Sequence, residues 1–390
     1  MSKPSDFKDL AFRQTLWNRI EAEVRARGGG TEAPYMLHVG DTWFDVPEEL
    51  NRPLDAEPWA KMLSRYGSTQ GEVELRRRLA QKLREKNGLP VGGPDQIQIS
   101  YGGTGGLFLA MHRLLQKDSE VLTLAPFWPI LRPLASSAGV RLVEVPFFDR
   151  ITADPGAVDI ESLFGPYMTS WTSSLYFNHP NNPTGVLLRR GHLEQIARFA
   201  AKHDLWIISD EAYEDFVWPD EPYVSIGSLP GAFDRTVSVF TFSKSYAAAG
   251  MRLGCVTGQP GVVAALNPVN VATGYEPNRL AQVQWIRGLE RRKVIIGRLR
   301  AAYRDGLRSV EENLRVPYLP CEGSFYVFLD LRDRWEGIRE AEKIDRMLRA
   351  GVVVAPGEAF GAMYDGWARF CYTALPPAEM SQAAIRANDL

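Results

Sequence analysis

Cysteine and histidine are scarce in this chain. Among 390 residues there are three cysteines, Cys255, Cys321 and Cys371, and five histidines. The cysteines share no short spacing, which excludes a disulfide framework and a cysteine-based zinc site, and the histidines show no metal-ligand spacing either. Scattered thiols of this kind suit a reduced, cytoplasmic protein. No apolar run is long enough to span a bilayer, and the N-terminal stretch breaks its apolar positions with charges, so neither a membrane span nor a secretory leader is expected. Excess charge is missing too. The 45 Lys and Arg against 47 Asp and Glu leave a net charge of -2, with no bulk attraction for nucleic acid or an anionic membrane. Internal repeats and low-complexity linkers are absent.

What is present is a globular mix, 45% hydrophobic and 24% charged, in a length that suffices for two sizeable cores. Residues 8–28 read as an amphipathic helix stopped by Gly28-Gly29-Gly30. Beyond it, helices alternate with short buried strands. Glu72 to Lys86 and Thr104 to Gln116 read as helices. Ile97 to Ser100, Val121 to Leu124, Arg141 to Val145, Ser174 to Phe177, Leu205 to Ser209 and Thr236 to Phe240 read as strands. That alternation predicts an α/β fold with a mostly parallel sheet covered on both faces. Later the texture changes: a charged helical stretch over 281–314, a strand at Phe325 to Leu329, a helix near 337–349, and strands at Val352 to Ala355 and Ala368 to Tyr372. This predicts a large domain over 49–270 and a smaller α+β domain over 271–390, with residues 1–48 contributing to the smaller one.

Several strand ends carry chemistry-bearing residues. Tyr101-Gly-Gly-Thr-Gly-Gly106 joins a strand to a helix. Gly103 and Thr104 there read as a phosphate cradle or as a plain turn, and the glycine spacing is not that of a dinucleotide fingerprint. Trp128 follows a strand and reads as a ring stacked on a flat ligand or as core. Asn182, in Pro180-Asn-Asn-Pro-Thr-Gly185, reads as a hydrogen-bond donor to a ligand or as a surface turn. Asp210 ends an apolar strand. It either caps a following helix or pairs with a protonated heterocycle, and Tyr213 either packs or reaches that ring. Lys244 lies among Phe242, Tyr246 and Ala247-Ala-Ala249, surroundings that desolvate its amine and favour covalent chemistry with a carbonyl. Thr241, Ser243 and Arg252 offer hydroxyls and a fork-shaped cation to a phosphate. Arg369 sits in an apolar strand, where a charge needs a partner: a substrate carboxylate or a structural ion pair.

In this order the residues resemble the class I/II aminotransferases of fold-type I, enzymes dependent on pyridoxal phosphate, and the resemblance covers nearly the whole chain. It implies that Lys244 is the Schiff-base lysine and proton shuttle and Asp210 the partner of the pyridine nitrogen. Asn182 and Tyr213 would contact the ring hydroxyl, and Trp128 would stack on the ring. Gly103, Thr104, Thr241, Ser243 and Arg252 would hold the phosphate. Leu37-His-Val-Gly40 is similar to the turn whose glycine lies beside the substrate carboxylate, which Arg369 and Asn182 would bind. Tyr66, in Tyr66-Gly-Ser-Thr-Gln-Gly71, is similar to the tyrosine that reaches the phosphate of a neighbouring subunit, which implies a homodimer. The implied reaction moves an amino group from an L-amino acid to a 2-oxo acid by ping-pong kinetics, with no metal. A β-eliminating lyase, a cyclising synthase or an amino-acid oxidase would use the same scaffold. The pattern departs at Thr42 and Trp43, on the substrate side, and Trp43, Phe44, Tyr66 and Phe127 point to a large apolar or aromatic substrate side chain.

Overall fold

The computed structural model describes residues 16–27, 33–50, 62–153 and 158–390. The first helix, Leu16–Arg27, occupies the later part of the stretch expected over 8–28; residues 8–15 and the triple glycine lie outside the described residues. A first short strand, β1 (Tyr35–Met36), follows. The next seven are β2 (Ile97–Ser100), β3 (Glu120–Ala125), β4 (Arg141–Pro146), β5 (Thr172–Asn178), β6 (Trp206–Asp210), β7 (Thr236–Thr241) and β8 (Gly254–Thr257). They form one sheet in the order β2-β8-β7-β6-β5-β3-β4. The pairs β3/β4, β3/β5, β5/β6 and β6/β7 are parallel, and β8 runs antiparallel to both its neighbours. The fold is therefore α/β with a mostly parallel sheet.

Both faces are covered, as period-two alternation demands. Leu122, Leu175, Phe177 and Ile207 face one core with Leu193, Ile196 and Phe199 of the helix Arg190–Lys202. Val121, Tyr176, Ile208 and Val239 face the other, with Leu107 and Met111 of the helix Gly102–Leu114.

After the sheet come the helices Pro260–Gly274, Arg279–Glu290 and Arg292–Asn313. The single helix expected over 281–314 is thus two, broken at Arg291, whose φ of -105 and ψ of 11 leave the helical well. The strands β9 (Tyr326–Asp330), β10 (Val352–Val353), β11 (Ala355–Pro356) and β12 (Trp367–Cys371) complete the sheets among the described residues. β11, β12 and β9 make an antiparallel sheet, while β10 pairs in parallel with β1. The strand expected over Val352 to Ala355 is therefore divided between two sheets. In this α/β arrangement the loops after the parallel strands gather at one edge, where ligands bind.

Candidate active site

Three parallel strands end in the side chains that matter most. β7 runs into the short helix Phe242–Ser245, whose first turn is capped by Thr241: its Oγ1 accepts from the Ser243 N–H at 3.1 Å. Lys244 projects from that turn and donates from Nζ to the Gly40 carbonyl at 2.6 Å. β6 ends in Asp210. Its Oδ1 accepts from the Ala212 N–H at 3.2 Å and its Oδ2 from the Tyr176 hydroxyl at 3.1 Å. β5 ends in Asn178, which ties two loops together: its Nδ2 donates to the Asp210 carbonyl at 2.9 Å, and its Oδ1 accepts from the Asn182 N–H at 2.7 Å.

Arg369, on β12, comes from a distant part of the chain. Its Nη1 donates to Asn182 Oδ1 at 2.9 Å and its Nη2 to the His38 carbonyl at 2.6 Å. The guanidinium lies over the rings of Tyr326 and Phe360, 4.4 Å and 4.8 Å from their centroids, a favourable placement for a desolvated cation. Tyr213 and Tyr326 share a hydrogen bond of 2.8 Å between their hydroxyls.

All the residues nominated for the cofactor and the substrate carboxylate, Tyr66 apart, line one cavity of about 390 Å³. Tyr66 lies away from it, 83% exposed, its ring 5.0 Å from that of Tyr275. The aromatic substrate wall expected from Trp43, Phe44 and Phe127 is not found. Phe127 is buried in the core beneath the Arg132 guanidinium, and Trp43 and Phe44 lie outside the cavity with their rings tilted to each other, 4.2 Å between centroids. Apolar contributions to the cavity come instead from Val39, Leu107 and Ile130. Sequence reading also passed over His38, Asn178 and Tyr326 in the lining and Tyr176 behind Asp210. Asn178, the polar end of an apolar strand four residues before Asn182, was the one with a visible signal.

Burial tunes the site. Desolvation lowers the Lys244 pKa from the ordinary lysine value, so a neutral, nucleophilic amine is cheaper to form. Desolvation pushes Asp210 up to about 6, against the opposing pull of the Tyr176 and Ala212 hydrogen bonds and the Lys244 charge. A buried acid with a raised pKa has a strong electrostatic need for a cation. Near the start of the helix Gly102–Leu114 the backbone is drawn in tightly. Gly102 has φ +73, and a Cβ there would lie 2.7 Å from the Arg252 guanidinium; a Cβ on Gly254 would lie 2.5 Å from the Gly102 carbonyl carbon. Thr104, Thr241 and Ser243 hydroxyls with Arg252 complete a donor set for a dianion.

An anion cradle, a desolvated amine and a buried acid in one cavity suit a phosphorylated nitrogen heterocycle bearing a carbonyl. On this fold they define the class of pyridoxal phosphate-dependent enzymes. Comparison with known proteins narrows it. Residues 48–387 match the family described as aminotransferase class I and II. Aromatic-amino-acid aminotransferase 2 of Thermococcus litoralis is 33% identical over 349 residues, 88% of this chain and 88% of that protein. An aspartate aminotransferase of Pyrococcus abyssi is 32% identical over 342 residues, 86% of each. A single mutant of Thermus thermophilus aspartate aminotransferase superposes with a TM-score of 0.87 at 27% identity, covering 100% of both chains. The chain belongs to the class I and II aminotransferase family: it is a fold-type I aminotransferase that depends on pyridoxal phosphate.

Proposed function

We propose that this enzyme moves the amino group of an L-amino acid to a 2-oxo acid in two half-reactions sharing one cavity, with Lys244 as the acting amine. The observation that carries the reading is the convergence of Lys244, Asp210 and the Arg369–Asn182 pair on that cavity. Pyridoxal phosphate, when bound, supplies an electrophilic carbon and an electron-accepting ring. Lys244 would hold it through Nζ, Asp210 at the ring nitrogen, Tyr213 and Asn182 at the ring hydroxyl, and Trp128 on the ring face. Gly103, Thr104, Thr241, Ser243 and Arg252 would hold the phosphate.

The remaining work falls to the chain's own atoms. Arg369 binds the substrate α-carboxylate in bidentate fashion beside Asn182, and Gly40 leaves room next to it: a Cβ at position 40 would overlap the Tyr326 hydroxyl. This fixes which substrate bond stands near Lys244. Lys244 Nζ would take the proton from the substrate Cα and deliver it again later, as a general base and then a general acid. Its lowered pKa suits both roles. Asp210 keeps its negative charge against the cationic heterocycle throughout. Initial velocities at several fixed oxo-acid concentrations should give parallel double-reciprocal lines; intersecting lines would remove the two-half-reaction scheme. Lys244→Ala should abolish the visible absorbance of the bound cofactor and cut turnover by about 10³-fold or more. Turnover near the parent's would overturn the assignment.

The same reading covers assembly and place. Tyr66 is exposed and outside its own chain's cavity, which supports a homodimer in which it completes the phosphate site of a second copy. The division into 49–270 and 271–390 with 1–48 draws support from the β1–β10 pairing and from the Arg19 ion pair with Glu340 at 2.8 Å. The free thiols of Cys255, Cys321 and Cys371 support a reducing, cytoplasmic setting. Amino acids and 2-oxo acids are the proposed partners, with no nucleic acid, membrane or metal.

A further inference from the structure

The mechanism gives no task to Tyr176, yet this side chain touches the carboxylate on which the cofactor's electronics depend. Tyr176 lies on β5 with its register partner Ile208 on β6. Asp210 is two residues beyond Ile208, so the side chains of Tyr176 and Asp210 leave the same face of the sheet. The phenol crosses between strands and donates to Asp210 Oδ2 at 3.1 Å, while the Ala212 N–H holds Oδ1 at 3.2 Å. Tyr176 is 0% exposed and Asp210 7%. Tyr176 belongs to the buried apolar cluster that also holds Leu107 and Val237, and a buried hydroxyl in such a place needs a partner.

We propose that Tyr176 is a positioning residue that acts through Asp210, its phenol holding the carboxylate ionised for the ring nitrogen; this rests on the reading of Asp210 as the ring's partner. A hydrogen bond to the charged form favours that form, and a charged acceptor gains about twice what a neutral one does. Burial works in the other direction and lifts Asp210 to about 6. Without the phenol the acid would take up its proton at a higher pH and would offer the ring a neutral carboxyl. Other groups face Asp210 as well: Lys244 from the helix after β7, Tyr213 and Tyr223 from the loops after β6, and, across the cavity, Arg252 and Arg369. Neighbouring Glu211 is engaged elsewhere, accepting from Tyr223 at 3.0 Å and from Ser225. Asn178 also acts on this acid, its Nδ2 donating to the Asp210 backbone carbonyl at 2.9 Å, while the Tyr176 phenol donates to the carboxylate itself.

The test is the pH dependence of cofactor affinity, read with pyridoxamine 5'-phosphate, which cannot bond covalently to Lys244. Full-length apoenzyme would be titrated by quenching of tryptophan fluorescence from about pH 5.5 to 8.5. Losing one hydrogen bond to a charged group displaces the acid's midpoint upward by about one pH unit. Tyr176→Phe should therefore bind about five-fold more weakly than the parent at pH 6 and equally at pH 8.5. Tyr176→Met, which also lacks a donor and fills the space flexibly, should show the same pH dependence, so a folding failure of one variant leaves the other to decide. In an Asp210→Asn background the change at position 176 should lose its pH dependence. A loss that is constant across pH, or no loss at all, would overturn the role of Tyr176. If Asp210→Asn itself left affinity unchanged throughout, the reading of Asp210 would fall instead.

Discussion

At the scale of single residues, the account turns on three charged side chains held out of bulk water. Asp210→Asn keeps the shape but removes the charge. The expected outcome is a fall in kcat by about 10²-fold or more with a smaller change in KM, checked by steady-state kinetics. An effect confined to KM would make Asp210 a binding group only. Arg369→Lys replaces a fork by a point charge beside Asn182, and KM for the amino acid should rise at least about tenfold while cofactor absorbance stays intact. Lys244, Asp210, Asn182, Arg252 and Arg369 were legible as candidates because each stands in a run of distinctive neighbours, and all five line the cavity. Tyr176, Tyr326 and His38 were not. Their roles depend on meetings between distant parts of the chain, such as the Tyr213–Tyr326 contact and the Arg369 bond to the His38 carbonyl. Phe127 misled because an aromatic next to a loop reads the same whether it turns into the core or out to a ligand, and here it turns inward.

At the scale of elements, the strand ends did most to position the site. β5, β6 and β7 were readable from short apolar runs, and each ends at Asn178, Asp210 or Thr241. β8 escaped notice: four residues opening on a glycine carry little periodic signal. That glycine is needed because the Gly102 backbone crosses directly above it. Helix Gly102–Leu114 makes a sharper prediction. Gly102 holds φ +73, a conformation that disfavours any Cβ, and the added methyl would press on Arg252. Gly102→Ala should lower stability by about 1–2 kcal/mol and weaken cofactor binding, seen in thermal melts and fluorescence titration. Unchanged affinity would separate the helix start from the phosphate. The break at Arg291 was hidden because charged residues continue through it and neither Gly nor Pro stands within 289–293.

At the scale of the whole molecule, the α/β class followed from alternating elements, whereas the join between β1 and β10 did not. β1, with two residues, is too short to register in any pattern of hydrophobicity, although β10 lies within the run Val352 to Ala355 that reads as a strand. Sedimentation of the holoenzyme should give twice the 43.7 kDa chain mass, and Tyr66→Ala should weaken cofactor binding although the residue lies outside its own cavity. An active species at the mass of one chain would remove Tyr66 from the site. The central claim, that one amine carries the cofactor, has a more direct test. The holoenzyme would be treated with borohydride, digested, and the labelled peptide located by mass spectrometry. The account predicts a single reduced pyridoxyl adduct on Lys244. An adduct on another lysine, or none from a protein that holds the cofactor and turns over, would contradict it.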